Sequence, residues 1–180
     1  MRKYLTIIMA GVLILIGCGQ VLAVTQYTIT DLGDLGGGES GAWGINNSGQ
    51  VVGQSRLSAV SLHAFLYEGT TMKDLGTLSS YYGSSSMAFG INNSGQVVGE
   101  SDGKAFLYDG GNMIDLNTLL PTGSGWVLSN VNGINDSGQI VGYSYINGYQ
   151  RAYLMTPVPE PATLLLLGLG GLVLRRNHKL

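Results

Sequence analysis

The stretch between Val24 and Pro159 holds one histidine, His63, and the chain's one cysteine, Cys18, lies ahead of it in an apolar run. That middle stretch therefore has no thiolate nucleophile, no disulfide and no cysteine-based metal site. His63 heads His63-Ala64-Phe65-Leu66-Tyr67, and the corresponding places in two related segments are taken by Lys104 and Arg151. A place shared by His, Lys and Arg reads as an exposed strand edge rather than a general base. The carboxylates are more regular, since Asp31, Asp74 and Asp115 recur at equivalent points. Repeated aspartates of this kind cap turns or accept backbone N–H groups. The competing reading is calcium, with hard oxygen ligands from these three and from Asn46, Asn92, Asn135 and Asp136. None of them has the spacing of a known calcium loop. A glycan hydrolase would need two carboxylates about 5–9.5 Å apart across a cleft, which acids scattered by repetition do not supply. The expectation is a non-catalytic protein with no required cofactor, calcium being the one candidate.

Charge narrows the partners. The chain as a whole is at −2, but between Val24 and Pro159 four Lys or Arg stand against ten Asp or Glu, so the middle is near −6. Without a basic patch to displace counterions, nucleic-acid binding is excluded.

These residues are positioned by a repeat. Gly44-Ile45-Asn46-Asn47-Ser48-Gly49-Gln50-Val51-Val52-Gly53 returns from Gly90 and, as Gly-Ile-Asn-Asp-Ser-Gly-Gln-Ile-Val-Gly, from Gly133. The starts are 46 and 43 residues apart, a spacing typical of repeat architectures. Asn and Gly tolerate positive φ and Asn bonds its own backbone, so each Asn-x-Ser-Gly predicts a tight hairpin turn between two short strands. A third strand follows (Ala64–Tyr67, Ala105–Tyr108, Ala152–Leu154), and a fourth runs Met72–Leu78 and Met113–Leu119. Tyr27–Leu35 matches the fourth strand alone, placed to complete the last unit and close the array. The fold class is all-β: three repeats of about four short antiparallel strands, propeller-like, with a β-trefoil-like fold or an open β-repeat array as alternatives.

Aromatic residues offer a second kind of chemistry. Trp43, Phe89 and Trp126 precede the Gly-Ile-Asn turns and are expected to pack between units. Tyr81, Tyr82, Tyr143, Tyr145 and Tyr149, if gathered on the surface, would stack on sugar rings. The three Asn-x-Ser triplets formally match glycosylation acceptors, and turn chemistry alone accounts for them.

The two ends read differently from the middle. Residues 1–23 have a charged start (Arg2, Lys3), an apolar run and Val21-Leu22-Ala23, the plan of a secretory signal cleaved after Ala23, with an N-terminal signal helix. Leu15-Ile16-Gly17-Cys18 resembles a bacterial lipoprotein box and makes lipidation at Cys18 the alternative. After residues 24–156 come three prolines in Pro157–Pro161, a short apolar helix over 162–174 and the basic end Arg175-Arg176. Thirteen helical residues reach about 20 Å, short of a ~30 Å hydrocarbon core. On physical grounds this is a weak membrane stop with the repeats outside.

Two resemblances sit on these motifs. The Ala-Phe-Leu-Tyr and Asp-Leu-Gly-Thr-Leu segments, one headed by His63, resemble the HAF repeats of bacterial extracellular proteins, with Lys104, Arg151 and Asn117 departing from the pattern. That likeness implies an exported β-repeat protein and assigns no activity. The tail (Val158, Pro159, Glu160, Pro161, an apolar run, then Arg175 and Arg176) strongly resembles the PEP-CTERM sorting signal. This implies an exosortase-type processing enzyme as partner, membrane contact through 162–174, and delivery to the cell envelope, surface or matrix of a bacterium that secretes exopolysaccharide. The domain plan is a signal peptide over 1–23, the repeat domain over 24–156 and the sorting segment over 157–180. The expected role is structural or adhesive, with a carbohydrate- or calcium-binding module as the alternative.

Overall fold

The computed structural model describes residues 26–158. By backbone contacts the chain divides at Asp31. Residues 26–31 carry no regular structure, and every strand lies beyond Leu32. The signal helix and the apolar helix expected near the two ends fall outside the described residues.

Eleven strands form three antiparallel meanders. The first sheet has β1 (Ser40–Ile45), β2 (Val51–Arg56), β3 (Leu62–Glu68) and β4 (Thr71–Asp74), in that order. The second repeats it with β5 (Ser86–Ile91), β6 (Val97–Ser101), β7 (Lys104–Asp109) and β8 (Asn112–Asp115). The third contains β9 (Asn130–Ile134), β10 (Ile140–Ile146) and β11 (Tyr149–Met155), in the order β11-β10-β9. Asp102-Gly103 and Asn147-Gly148 are two-residue hairpin turns with positive φ at both residues, the geometry that matches strand twist. The Gly-Ile-Asn turns are one size larger than a two-residue hairpin. Asn46 N–H bonds Gln50 C=O and Gly49 N–H bonds Asn46 C=O, both at 3.1 Å, with Gly49 at φ +77°.

Two sequence expectations are corrected. The fourth strands stop at Asp74 and Asp115 instead of running on to Leu78 and Leu119. Asp74 Oδ1 accepts Gly76 N–H at 2.7 Å and Asp115 Oδ1 accepts Asn117 N–H at 2.9 Å, turning the backbone out of the ladder. After Asp115 the chain forms a 3₁₀ turn, Leu116–Leu119. The strand expected over Tyr27–Leu35 is not formed either. Asp34 bonds the N–H groups of Gly36 and Gly38, and Leu35 N–H goes to Ser55 Oγ at 2.9 Å. The described residues therefore form an open series of three sheets, with no closed propeller or barrel.

Successive sheets pack face to face. The first strand of each later sheet lies across the first three strands of the one before: β5 on β1–β3, β9 on β5–β7. One apolar cluster joins Val52, Ala64 and Leu66 of the first sheet to Ala88, Ile91 and Val97 of the second. The other joins Val98, Ala105 and Leu107 to Val131, Ile134 and Ile140. Backbones approach closely enough to demand glycine: a Cβ on Gly90 would lie 3.0 Å from Gly133 Cα. Buried serines tie each incoming segment to its sheet. Ser55 Oγ bonds Leu35 N–H and Glu39 C=O, Ser101 Oγ accepts Leu78 N–H, and Ser144 Oγ donates to Val127 C=O.

Candidate functional site

Each sheet carries a β-bulge at the same place. In the first, Ala42 pairs with Gly53 and Gly44 with Val52, leaving Trp43 unpaired; Phe89 and Asn132 are the extra residues in the other two. A bulge bends its strand and re-aims the extra side chain. Opposite it stands a glycine that no other residue can replace, since a Cβ on Gly99 would sit 2.0 Å from Met87 C=O. The three bulged side chains consequently reach one rim, Trp43 and Asn132 exposed there and Phe89 half-buried with its inner side against the second apolar cluster.

There they line a cleft of about 400 Å³, completed by Glu100, Asn130 and Tyr143. Trp43 and Phe89 stack with ring centroids 5.3 Å apart and planes 15° from parallel. The stack bridges two units on the surface, with Trp43 nearly half exposed. Burial raises the Glu100 carboxyl above the ordinary carboxylate range. Trp43 also borders a neighbouring hollow of about 320 Å³ with Glu39, Ser40 and Gln54. The buried side-chain oxygen of Gln54 has no hydrogen-bond partner there. A flat aromatic platform ringed by amide, carboxyl and phenol groups can hold a polyhydroxylated ring through stacking and hydrogen bonds.

Sequence reasoning reached this cleft only in part. It named Trp43, Phe89 and Tyr143, but Trp126 departs from the set and packs edge-on against Tyr153 at 6.3 Å, on the second apolar cluster. Asn132 holds the equivalent place instead. Glu100, Gln54, Asn130 and Asn132 were missed; the register of the Val-Val-Gly-x strands would have given Gln54 and Glu100, one residue past the invariant-looking glycine. The tyrosines do not gather: Tyr81 and Tyr82 lie in a loop of their own, while Tyr145 and Tyr149 face solvent on the last hairpin.

The residues considered for calcium serve the turns. Asn46 Oδ1 accepts Ser48 and Gln50 N–H, and Asn92 and Asn135 do the same in their turns. The turns are then laddered together. Asn46 Nδ2 donates to Asn92 C=O at 3.0 Å, and Asn92 Nδ2 donates to Asn135 C=O at 3.1 Å. Asn47 N–H bonds Asn93 Oδ1, and Asn93 N–H bonds Asp136 Oδ1, which holds the Asp136 carboxyl below its usual range. Asp74 meets His63 Nδ1 at 2.9 Å and Asp115 meets Lys104 Nζ at 3.2 Å. For Asp115, burial alone would raise the pKa, but hydrogen bonds from Asn117 and the Lys104 charge bring it below the ordinary value. Among the described residues no three His, Cys, Asp or Glu come together as a metal site. Asp31 lies in the segment before Leu32, exposed.

Ala23, Cys18 and the tail from Pro159 onward, including Glu160, Pro161, Arg175 and Arg176, lie outside the described residues; Val158 is exposed. Among the described residues no helix is long and apolar enough to cross a membrane. The PEP-CTERM protein-sorting motif is found at residues 157–177. It marks an exported protein and fits an exosortase as its processing enzyme. No curated protein and no solved structure matches the chain. A family model described as "Protein of unknown function (DUF3466)" matches residues 20–152, from ahead of the first sheet into β11, and the chain belongs to that family.

Proposed function

We propose that this exported protein is a non-catalytic, HAF-like β-repeat module that holds polysaccharide at the bacterial surface or in its extracellular matrix, after processing at Pro159-Glu160-Pro161. The observation that carries the reading is the Trp43–Phe89 stack, raised by two consecutive bulges onto an open rim beside polar groups. Trp43, nearly half exposed at its bulge, forgoes much of the core packing a ring of its size could gain, and a sugar face stacked on it would cover that area. The cleft contains one carboxylate, Glu100, where glycoside hydrolysis calls for two, so binding is favoured over catalysis. Retardation of the protein in gels containing the host's exopolysaccharide tests this directly. Trp43→Ala is expected to abolish retardation while leaving the unfolding midpoint within about 0.5 kcal/mol of wild type. Retardation that survives Trp43→Ala and Phe89→Ala would sink the proposal.

A further inference from the structure

The two outer faces of the sheet series are the two halves of an interface the molecule already builds twice. Val52 and Val98 are fully buried by the sheet that follows them, whereas their counterpart Val141 is 45% exposed, with Ala152 and Leu154 exposed around it. On the opposite side, Ile91 is buried by the preceding sheet, and its counterpart Ile45 is 69% exposed beside exposed Ala42. The polar ladder stops at the same boundary. Asn135 Nδ2 bonds only its own Gln139, lacking the cross-unit carbonyl that Asn46 and Asn92 reach. A Cβ on Gly44 or Gly90 would crowd the next unit, but one on Gly133 would meet nothing within 4 Å.

The edges of the sheets tell the same story. β4 and β8 cover the outer edges of β3 and β7, while among the described residues nothing covers β11. In the sequence, Thr28-Ile29-Thr30-Asp31 stands ahead of the Leu35–Ser55 bond as β4 stands ahead of the Leu78–Ser101 bond. Ile29 occupies the place of half-buried Met72 and Met113, yet is 99% exposed. Arg151 meets no carboxylate among the described residues, although the equivalent His63 and Lys104 meet Asp74 and Asp115.

We infer that the occupant of these faces is a second copy of the same chain, joined head to tail. The Val141–Leu154 face of one copy covers Ala42 and Ile45 of the other. Residues Thr28–Asp31 of the other copy add to β11 as its fourth strand, a β-augmentation. The register follows from β3–β4, where Tyr67 opposes Met72 and Phe65 opposes Asp74: Met155 opposes Ile29, Tyr153 opposes Asp31, and Arg151 gains a carboxylate. Asn135 Nδ2 then reaches Asn46 C=O of the second copy, and Gly133 meets its Gly44. A head-to-tail interface closes when its rotation allows. Two chains of three sheets give six four-stranded units, within the four to eight blades typical of closed propellers.

The test is cross-linking of full chains carrying Cys18→Ser. Chains with Ile29→Cys, mixed with differently tagged chains carrying Met155→Cys and oxidised, are expected to give a mixed disulfide dimer. Pairing Ile29→Cys with the out-of-register Gln150→Cys should not. Sedimentation in mild detergent is expected to show two chains. Gly133→Ala, which fits the single chain without contact, should weaken that dimer at least about tenfold with the fold's circular dichroism unchanged. A single-chain mass, a disulfide within one chain when both cysteines are present, or a dimer indifferent to Gly133→Ala would each overturn the inference. The glycan-binding reading is not at stake, because the retardation test reads the Trp43–Phe89 cleft independently.

Discussion

The second and third sheets are written in nearly the same residues and live in different surroundings. Both run Gly-Ile-Asn-x-Ser-Gly-Gln-Val/Ile-Val-Gly, both carry the bulge, and both bury the serine two residues past that last glycine. Yet the second is covered on both faces, and the third on one. Burial here belongs to the neighbour a face meets and not to the motif that forms it.

The strongest break between the two comes at glycine. Gly90→Ala would place a Cβ 3.0 Å from Gly133 Cα and 3.3 Å from Val98 Cγ2 between packed sheets, so it is expected to destabilise the fold by about 2–3 kcal/mol. Gly133→Ala in the third sheet meets open space and should leave the unfolding midpoint of the single chain unchanged or slightly raised, because alanine restricts the unfolded chain. Urea titration at a dilution where the chain is single measures both.

Truncating equivalent valines is the next contrast. Val98→Ala opens a cavity in a fully buried site and should cost about 2 kcal/mol, whereas Val141→Ala should stay within about 0.5 kcal/mol. At concentrations where chains associate head to tail, the gap is expected to narrow, since Val141 then becomes covered. Asparagine gives a smaller version of the same asymmetry. Buried Asn92 makes four side-chain hydrogen bonds, one of them to the next unit, and Asn92→Ala should cost about 2–3 kcal/mol. Exposed Asn135 serves its own turn alone, and Asn135→Ala should cost about 1 kcal/mol.

These contrasts also mark where sequence reading succeeds. The Asn-x-Ser-Gly turns and the strands beside them were legible because Asn and Gly impose local backbone geometry that needs no tertiary context. The ends of β4 and β8 were not. Leu75 and Leu116 continue the apolar pattern of a strand, but each is buried on the path out of the sheet, carried there by an aspartate turn. The bulges escaped notice for a related reason. One extra residue shifts a ladder without altering composition, so Trp43 looked like core, and Trp126 looked like its equivalent although Asn132 holds that place. The recurrence of the aspartates was read first as turn capping, and Asp74 and Asp115 do cap turns, each beside a basic partner, His63 and Lys104, that spacing alone did not reveal.

The smallest expected effect separates two carboxylates of the second sheet by the sign of their pH dependence. Asp115 is held below its ordinary value in the fold, so its contribution is present above the unfolded value near 4 and is lost as pH falls through the folded value. Glu100, raised by burial in the cleft, behaves oppositely. Its folded form prefers the proton, so stability is complete below the unfolded value and declines as pH rises through the folded one. Glu100→Gln should therefore raise the midpoint at pH 7 by well under about 1 kcal/mol, the side chain being only partly buried and screened by solvent, and change nothing near pH 3. Asp115→Asn should lower the midpoint at pH 7 and lose its effect in acid. Thermal melts of the two variants across pH 3–7 check the signs. If both midpoints moved the same way, the Asn117 hydrogen bonds and the Lys104 charge would not be what separates Asp115 from Glu100, two carboxylates that burial alone would push in the same direction.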